Sequence, residues 1–341
     1  INGGQVGGLR NRIVNGDMRI DQRSNGAAVN SNSAVNPYTP DRWRSVAQTG
    51  SNQFSVQKSA VSPTGFVNSL LATSLAATTV ASTDSFSLRQ PIEGFNCSDL
   101  GFGTASASVV TLSFWVRSSL SGPFGGALHN QLQNRSYPFS YTIVAANTWE
   151  YKTTTIAGDT SGTWNTNTSG GINISLGLGV GANFSGAAGA WAGADYRSPT
   201  GATSVVSTSG ATFYITGVQL EKGSTATTFE QRSIGLELAL CQRYGFPLAQ
   251  FPYFLLSTTL VRCVCAPPVS LRASPSSITV ATTASTISNP LGGNGTPGAI
   301  SGITYNGSYL NFDMASSVTM TGATAGMSGN VGALGFVNVE L

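Results

Sequence analysis

The 341-residue chain carries 17 Lys and Arg against 14 Asp and Glu, a net charge of +3, and only 9% of its positions are charged, against about 25% in an average soluble domain. Fourteen of the cations are Arg and three are Lys; the densest group, Arg10, Arg12, Arg19 and Arg23, is interrupted by Asp17 and Asp21, so no basic face for nucleic acid is expected. Ser, Thr, Asn, Gln and 41 Gly replace the missing charges, a composition that disfavours helix interiors and suits strands and turns, while sixteen Phe, ten Tyr and five Trp argue against a disordered chain.

Residues 1–11, with four Gly, read as an extended lead-in. Arg12 to Asp21 follows as a strand-like run around the turn pair Asn15–Gly16. In Tyr38–Trp43, Asp41 and Arg42 beside Trp43 suggest a corner with a buried indole under a polar pair. The clearest strand is Val110 to Arg117, where Val110, Leu112, Phe114 and Val116 alternate with Thr111, Ser113, Trp115 and Arg117. Trp43 and Trp115 are both assigned to packing, in the core or at an interface, ahead of ligand stacking. Phe139 to Ala145, Thr148 to Ile156 and Ile172 to Val180 are strand-like, and Trp164–Thr168 and Ser185–Tyr196 read as long loops. From Ala211 to Glu221 a second good strand changes phase at Thr216–Gly217, as a bulge would. Ser233 to Tyr244 predicts one short helix, with Leu236, Leu240 and Tyr244 on one face, Ser233 as cap and Gly245 as stop. Strands are again expected at Leu260–Ala266, Ser277–Ala284, Ile303–Phe312 and Val331–Leu341. No fixed-period repeat occurs, which disfavours solenoids and propellers.

Little in the chain is equipped for bond-breaking. Its one His, His129, has no Cys or Asp beside it and reads as a surface or loop residue. The carboxylates Glu93, Asp99, Asp159 and Asp195 are not spaced as a glycosidase pair, and Glu221, Glu230 and Glu237 read as acceptors for Arg232 and Arg243. Cys97, Cys241, Cys263 and Cys265 form no C-x-x-C and read as buried free thiols. No cofactor is expected, and a calcium ion in the sandwich is left open. Apolar stretches such as Phe246–Leu256 are broken by Pro or Gly, so no membrane insertion and no signal peptide are expected. The first residue, Ile1 and not Met, reads as a processed or trimmed end. Sugar binding needs only an aromatic platform with amide, hydroxyl and carboxylate groups at a loop tip; Trp164 with Asn165 and Asn167, and Trp191 with Asp195, Tyr196 and Arg197, are the candidates, with packing against a neighbouring subunit as the competing reading.

Six phrases recur in an order that resembles a family of phage tail-fibre and appendage proteins: Arg12-Ile-Val-Asn-Gly-Asp17, Tyr38-Thr-Pro-Asp-Arg-Trp43, Leu88-Arg-Gln-Pro-Ile-Glu-Gly94, Leu112-Ser-Phe-Trp-Val-Arg117, Ile215-Thr-Gly-Val-Gln-Leu-Glu-Lys-Gly223 and Glu237-Leu-Ala-Leu-Cys-Gln-Arg-Tyr244. The resemblance spans nearly all of residues 10–341 and is poor near 181–194. It implies an all-β chain: a carbohydrate-binding-module-like jelly-roll β-sandwich over 12–232, a short linking helix over 233–245, and a smaller C-terminal β-sandwich domain over 246–341. It brings neither a catalytic motif nor a set of sugar ligands. The implied setting is a virion appendage, a tail fibre or receptor-binding protein on tail or capsid, attached to a host surface polysaccharide and partnered by other phage tail or capsid proteins. Sparse charge and apolar strand edges suit a homotrimer. The alternatives are a purely structural, decorating fibre without receptor binding and, behind it, a glycan-degrading tailspike; the chain is not expected to be an enzyme.

Overall fold

The structure, a computed structural model, describes residues 10–248, 251–257, 259–280, 285–288, 294–295, 297–316, 325–329 and 335–341. Most of the lead-in (1–9) and parts of two expected strands (281–284 and 331–334) lie outside the described residues. The chain divides into two compact units, Ile1–Ile234 with Leu341, and Gly235–Glu340.

The first unit is a jelly-roll β-sandwich. Its strands are β1 (Val29–Asn32), β2 (Arg44–Ala47), β3 (Ser51–Ser59), β4 (Ser69–Ser74), β5 (Ser85–Glu93), β6 (Val110–Ser118), β7 (Gly122–Asn130), β8 (Ser136–Ile143), β9 (Glu150–Ile156), β10 (Gly170–Val180), the two-residue β11 (Ser185–Gly186) and β12 (Ser198–Pro199), and β13 (Thr212–Lys222). Sheet A has the order β1-β3-β4-β13-β6-β9 and sheet B the order β2-β5-β10-β7-β8, antiparallel throughout. Alternation decides which residues face inward. Val110, Leu112, Phe114 and Val116 of β6 join Phe213, Ile215 and Leu220 of β13 in the core, and Leu88, Ile174, Leu176 and Phe124 enter it from sheet B.

Trp43 is fully buried and Asp41 and Arg42 are buried beside it, as the corner reading expects. The indole Nε1 donates to the Asn15 carbonyl at 3.0 Å.

Two readings are corrected. Arg12–Asp21 is buried but is not a strand. In place of a continuous ladder its backbone is satisfied by side-chain amides and by isolated main-chain bonds to β13, Arg12 N to Leu220 O and Val218 N to Gly16 O, both at 2.9 Å. Gln90 accepts from Val14 N and donates to Val14 O, both at 2.9 Å. Asn15, at φ +56°, accepts from Ile20 N at 2.9 Å and donates to Ile20 O and Asp41 O at 2.8 and 2.9 Å. Asn11 accepts from Leu220 N and donates to Val218 O. The apolar residues Ile13, Val14, Met18 and Ile20 therefore mark burial here, without a strand ladder. The predicted helix exists as α1 (Ile234–Gln242), but it buries Glu237 and Cys241 and leaves Leu236 43% exposed. Apolar residues lie all round this short helix, so spacing alone does not select its buried face.

The second unit contains β14 (Gly245–Leu248), β15 (Phe251–Ser257), β16 (Leu260–Cys265), β17 (Ser277–Val280), β18 (Ser285–Ser288), β19 (Asn294–Gly295), β20 (Pro297–Tyr305), β21 (Leu310–Ser316), β22 (Ala325–Gly329) and β23 (Gly335–Asn338). Among the described residues they form sheets of order β14-β23-β17 and β19-β18-β22-β15-β16-β21-β20 around a separate core that includes Phe246, Tyr253, Val261, Phe312, Met314 and Val337. All four cysteines are free, Cys97, Cys241 and Cys263 buried and Cys265 half-buried, as expected. Burial pushes the Cys97 and Cys263 thiols up to about 12.

Candidate functional site

The residues of β6 that point away from the core put Trp115 on the outer face of sheet A. Register sets it opposite Tyr151 of β9, with ring centroids 5.4 Å apart at 47°. Tyr151 is 44% exposed because β9 is an edge strand whose outward positions, Tyr151, Thr153 and Thr155, all meet solvent. On the other side of Trp115 the ladder to β13 slips between Thr216 and Gln219, so the bulge read from the sequence is present. Gly217 occupies it at φ +62°, and a Cβ there would fall 2.6 Å from Phe66 Cζ and 3.3 Å from Trp115 Cδ1. Only glycine combines this backbone with such a close approach.

Phe66, from the β3–β4 connection, meets Phe229 edge-on at 5.3 Å. The segment carrying Phe229 is held by β13. Glu221 accepts from Thr227 N (2.8 Å), Thr227 Oγ1 (2.7 Å) and Gln219 Nε2 (2.8 Å), and Gln219 Oε1 accepts from Glu230 N at 2.9 Å. Gln231 Nε2 donates to Gly65 O at 3.0 Å. Together Phe66, Trp115, Tyr151 and Phe229, with Thr227, Thr228 and Gln231, line a groove of about 610 Å³. Its walls hold aromatic faces, hydroxyls and an amide, and no Asp, Glu, Lys, Arg or His. The same sheet face continues through Tyr214, which lies under the Arg117 guanidinium at 5.2 Å and beside Trp149 at 6.1 Å.

The sequence candidates lie elsewhere. Trp164, on the β9–β10 connection, and Trp191, on the β10–β13 connection, meet at 5.4 Å and 85°. Phe102 stands edge-on to both, at 5.0 and 5.8 Å, and Tyr137 contacts Trp191 at 5.4 Å. The two indole N–H groups donate to the Ser161 and Ala157 carbonyls, and Asn165 Nδ2 donates to Gly170 O. Asp195 pairs with Arg197 at 2.6 Å. Arg197 is buried, donates to Gln48 Oε1 at 2.9 Å and lies 4.1 Å over the Phe184 ring. Tyr196 packs its ring against Gly186 and donates its backbone N–H to Ser136 Oγ. The structure thus joins Trp164 to Trp191 and Asp195 to Arg197. Of the groove residues, Trp115 is read from the sequence as packing and is half-buried on the outer face, and Tyr151, Phe66 and Phe229 are not among the sequence candidates; the alternation of β6 and β9 places Trp115 and Tyr151 outward, whereas nothing local marks Phe66 or Phe229.

His129 requires a correction. It is fully buried on β7, not at the surface, with Nε2 2.9 Å from Ser175 Oγ and Nδ1 3.2 Å from Asn130 O. Burial, followed by the Arg89 charge, holds its pKa well below the usual histidine range, so the ring is neutral. Asp99 and Asp159 are tied to Arg12 and Arg135 at 2.7 and 2.6 Å. Glu230 pairs with Arg232 as read, while Glu221 pairs with Arg10 at 3.6 Å and not with the arginines expected for it. Among the described residues no group of three or more His, Cys, Asp or Glu is placed to hold a metal ion.

The fold and groove define a class: a β-sandwich with an uncharged aromatic groove on one sheet. No protein-family model and no curated protein matches the sequence. Among solved structures, the chain is similar to a candidate sugar-binding protein of Bacteroides thetaiotaomicron (11% identity, 62% of this chain and 100% of that one, TM-score 0.37). It is also similar to a family 61 carbohydrate-binding module solved with β-1,4-galactotriose (14% identity, 63% and 100%, TM-score 0.32) and to a xylan-binding domain from Paenibacillus barcinonensis (12% identity, 60% and 99%, TM-score 0.28). Likeness at this level says nothing about which residues act, or on what.

Proposed function

We propose that the chain is a glycan-binding attachment protein and that the sheet A groove is its contact surface. One observation carries this reading: Trp115 and Tyr151 stand side by side on an open sheet face, over neutral hydrogen-bonding groups. Pyranose rings present C–H faces that stack on such aromatics, and their hydroxyls exchange hydrogen bonds with Thr227, Thr228 and Gln231. An uncharged lining favours neutral sugars, because an acidic one would lose its hydration without gaining a cation.

The setting we propose is a phage virion appendage, assembled as a homotrimer with other tail or capsid proteins. It is supported by the resemblance of the six phrases to those of phage tail-fibre proteins and by the sparse charge of the chain.

Trp115→Ala and Tyr151→Ala tests the groove. Each variant is expected to bind host-surface polysaccharide about tenfold more weakly, the value of one lost aromatic contact of about 1 kcal/mol or slightly more, while unfolding at nearly the wild-type temperature. Wild-type adsorption by both variants removes the groove from the proposal. Trp164→Ala and Trp191→Ala, read in the same assay, report on the loop pair. Light scattering of the purified chain tests the trimer; a stable monomer refutes it.

A further inference from the structure

Around β5 and β10 the outer face of sheet B is polar and covered, whereas at β8 Ser140 and Thr142 are exposed. Register lines up Arg44, Arg89 and Ser175 across β2, β5 and β10. Arg89 Nε donates to Ser175 Oγ at 3.2 Å, the same hydroxyl that meets His129. The β10–β13 connection covers this face: a Cβ at Gly177 would fall 2.7 Å from Ser198 Oγ, and one at Gly125 would fall 2.4 Å from Pro199. Arg89 is only 6% exposed. Its Nη2 has no protein partner, nor does the Oγ of Ser87, two residues earlier on the same strand face and fully buried.

The charge is equally one-sided. Arg44 and Arg197 both act on Arg89, and the one carboxylate acting on it, Asp195, is already paired with Arg197. Burial and these two cations lower the Arg89 pKa to about 9, which still leaves it charged at neutral pH. A buried guanidinium without a counter-charge is a strongly unfavourable arrangement, and a buried donor without an acceptor adds to it. Both defects are relieved by one kind of group, an oxyanion accepting from Nη2 and from the neighbouring hydroxyl.

We propose that Arg89 and Ser87, within the positive field of Arg44 and Arg197, bind a small oxyanion: free sulfate or phosphate, or the acid group of a single sugar residue. The anion would fasten the β10–β13 connection to sheet B. This site shares no residue with the groove and does not depend on it.

Isothermal titration of the whole chain, in chloride buffer at fixed ionic strength, is made with sodium sulfate, sodium phosphate and glucuronate. Saturable binding of at least one, one per chain, is expected. It should weaken about tenfold or more in Arg89→Gln, in line with the loss of a charged hydrogen bond, and persist in Trp115→Ala. Sulfate or phosphate binding without glucuronate identifies the free ion; glucuronate alone identifies a sugar acid. The proposal is overturned if none of the three saturates, or if Arg89→Gln binds as tightly as wild type. Should Arg89→Gln fail to fold, Ser87→Ala takes its place: weaker binding supports the site, and unchanged binding overturns it.

Discussion

Gly217 is the residue on which the groove turns. Its φ of +62° and the Phe66 and Trp115 rings above it leave no room for a side chain. Gly217→Val is therefore expected to lose about 2 kcal/mol or more of stability, since backbone strain and overpacking each contribute on the order of 1–3 kcal/mol. Chemical denaturation measures the loss, and polysaccharide binding should fall with it because Phe66 and Trp115 must separate. His129 gives the second prediction at this scale. Its folded pKa is depressed by burial, while the unfolded chain titrates near the ordinary histidine value of about 6.5. Below that pH the unfolded state binds the extra proton, so stability is full above about pH 6.5 and falls as pH drops, approaching about 1.4 kcal/mol per pH unit. Denaturation between pH 7.5 and 5.5 should show this slope in the wild type and a flatter one in His129→Gln. An equal slope in both would assign the effect to other groups.

At the scale of elements, two irregular segments do what strands do elsewhere. Residues 11–20 are anchored by the amides of Asn11, Asn15 and Gln90, and 226–231 by Glu221 and Gln219. Asn15→Ala would remove the partner of Ile20 N and Asp41 O, while Ile20 O keeps the Asp41 N–H. A loss of about 3 kcal/mol is expected, since each buried unsatisfied group costs about 1–3 kcal/mol and part is recovered by relaxation. Glu221→Gln should act more locally: amide exchange over 226–231 should speed up while the core strands stay protected, and Phe229 would lose its fixed place in the groove wall. The alternation in β6, the phase change at Thr216–Gly217 and the helix near 234–242 were legible in the sequence because each is a short-range pattern. The 11–20 segment misled for the same reason: a run of buried apolar residues looks alike whether its backbone is paired to a strand or to side-chain amides.

For the whole molecule, the two units have separate cores. Residues 1–234 expressed alone are therefore expected to unfold in one cooperative transition and to keep polysaccharide binding; a fragment without a sharp transition in calorimetry would show that the first core is insufficient. Composition and the two-residue period were enough to establish an all-β chain, the inward faces of its best strands and the bulge, since each depends on neighbours a few positions apart. They could not establish which outward residues stay open. Phe66 and Phe229 meet from 163 positions apart, and the outward face of His129 and Arg89 is crossed by a connection that begins about fifty residues beyond His129 and about ninety beyond Arg89. Burial of an outward face depends on the route a loop takes over a finished sheet, and that route is a balance of contacts across the whole chain that no local pattern records.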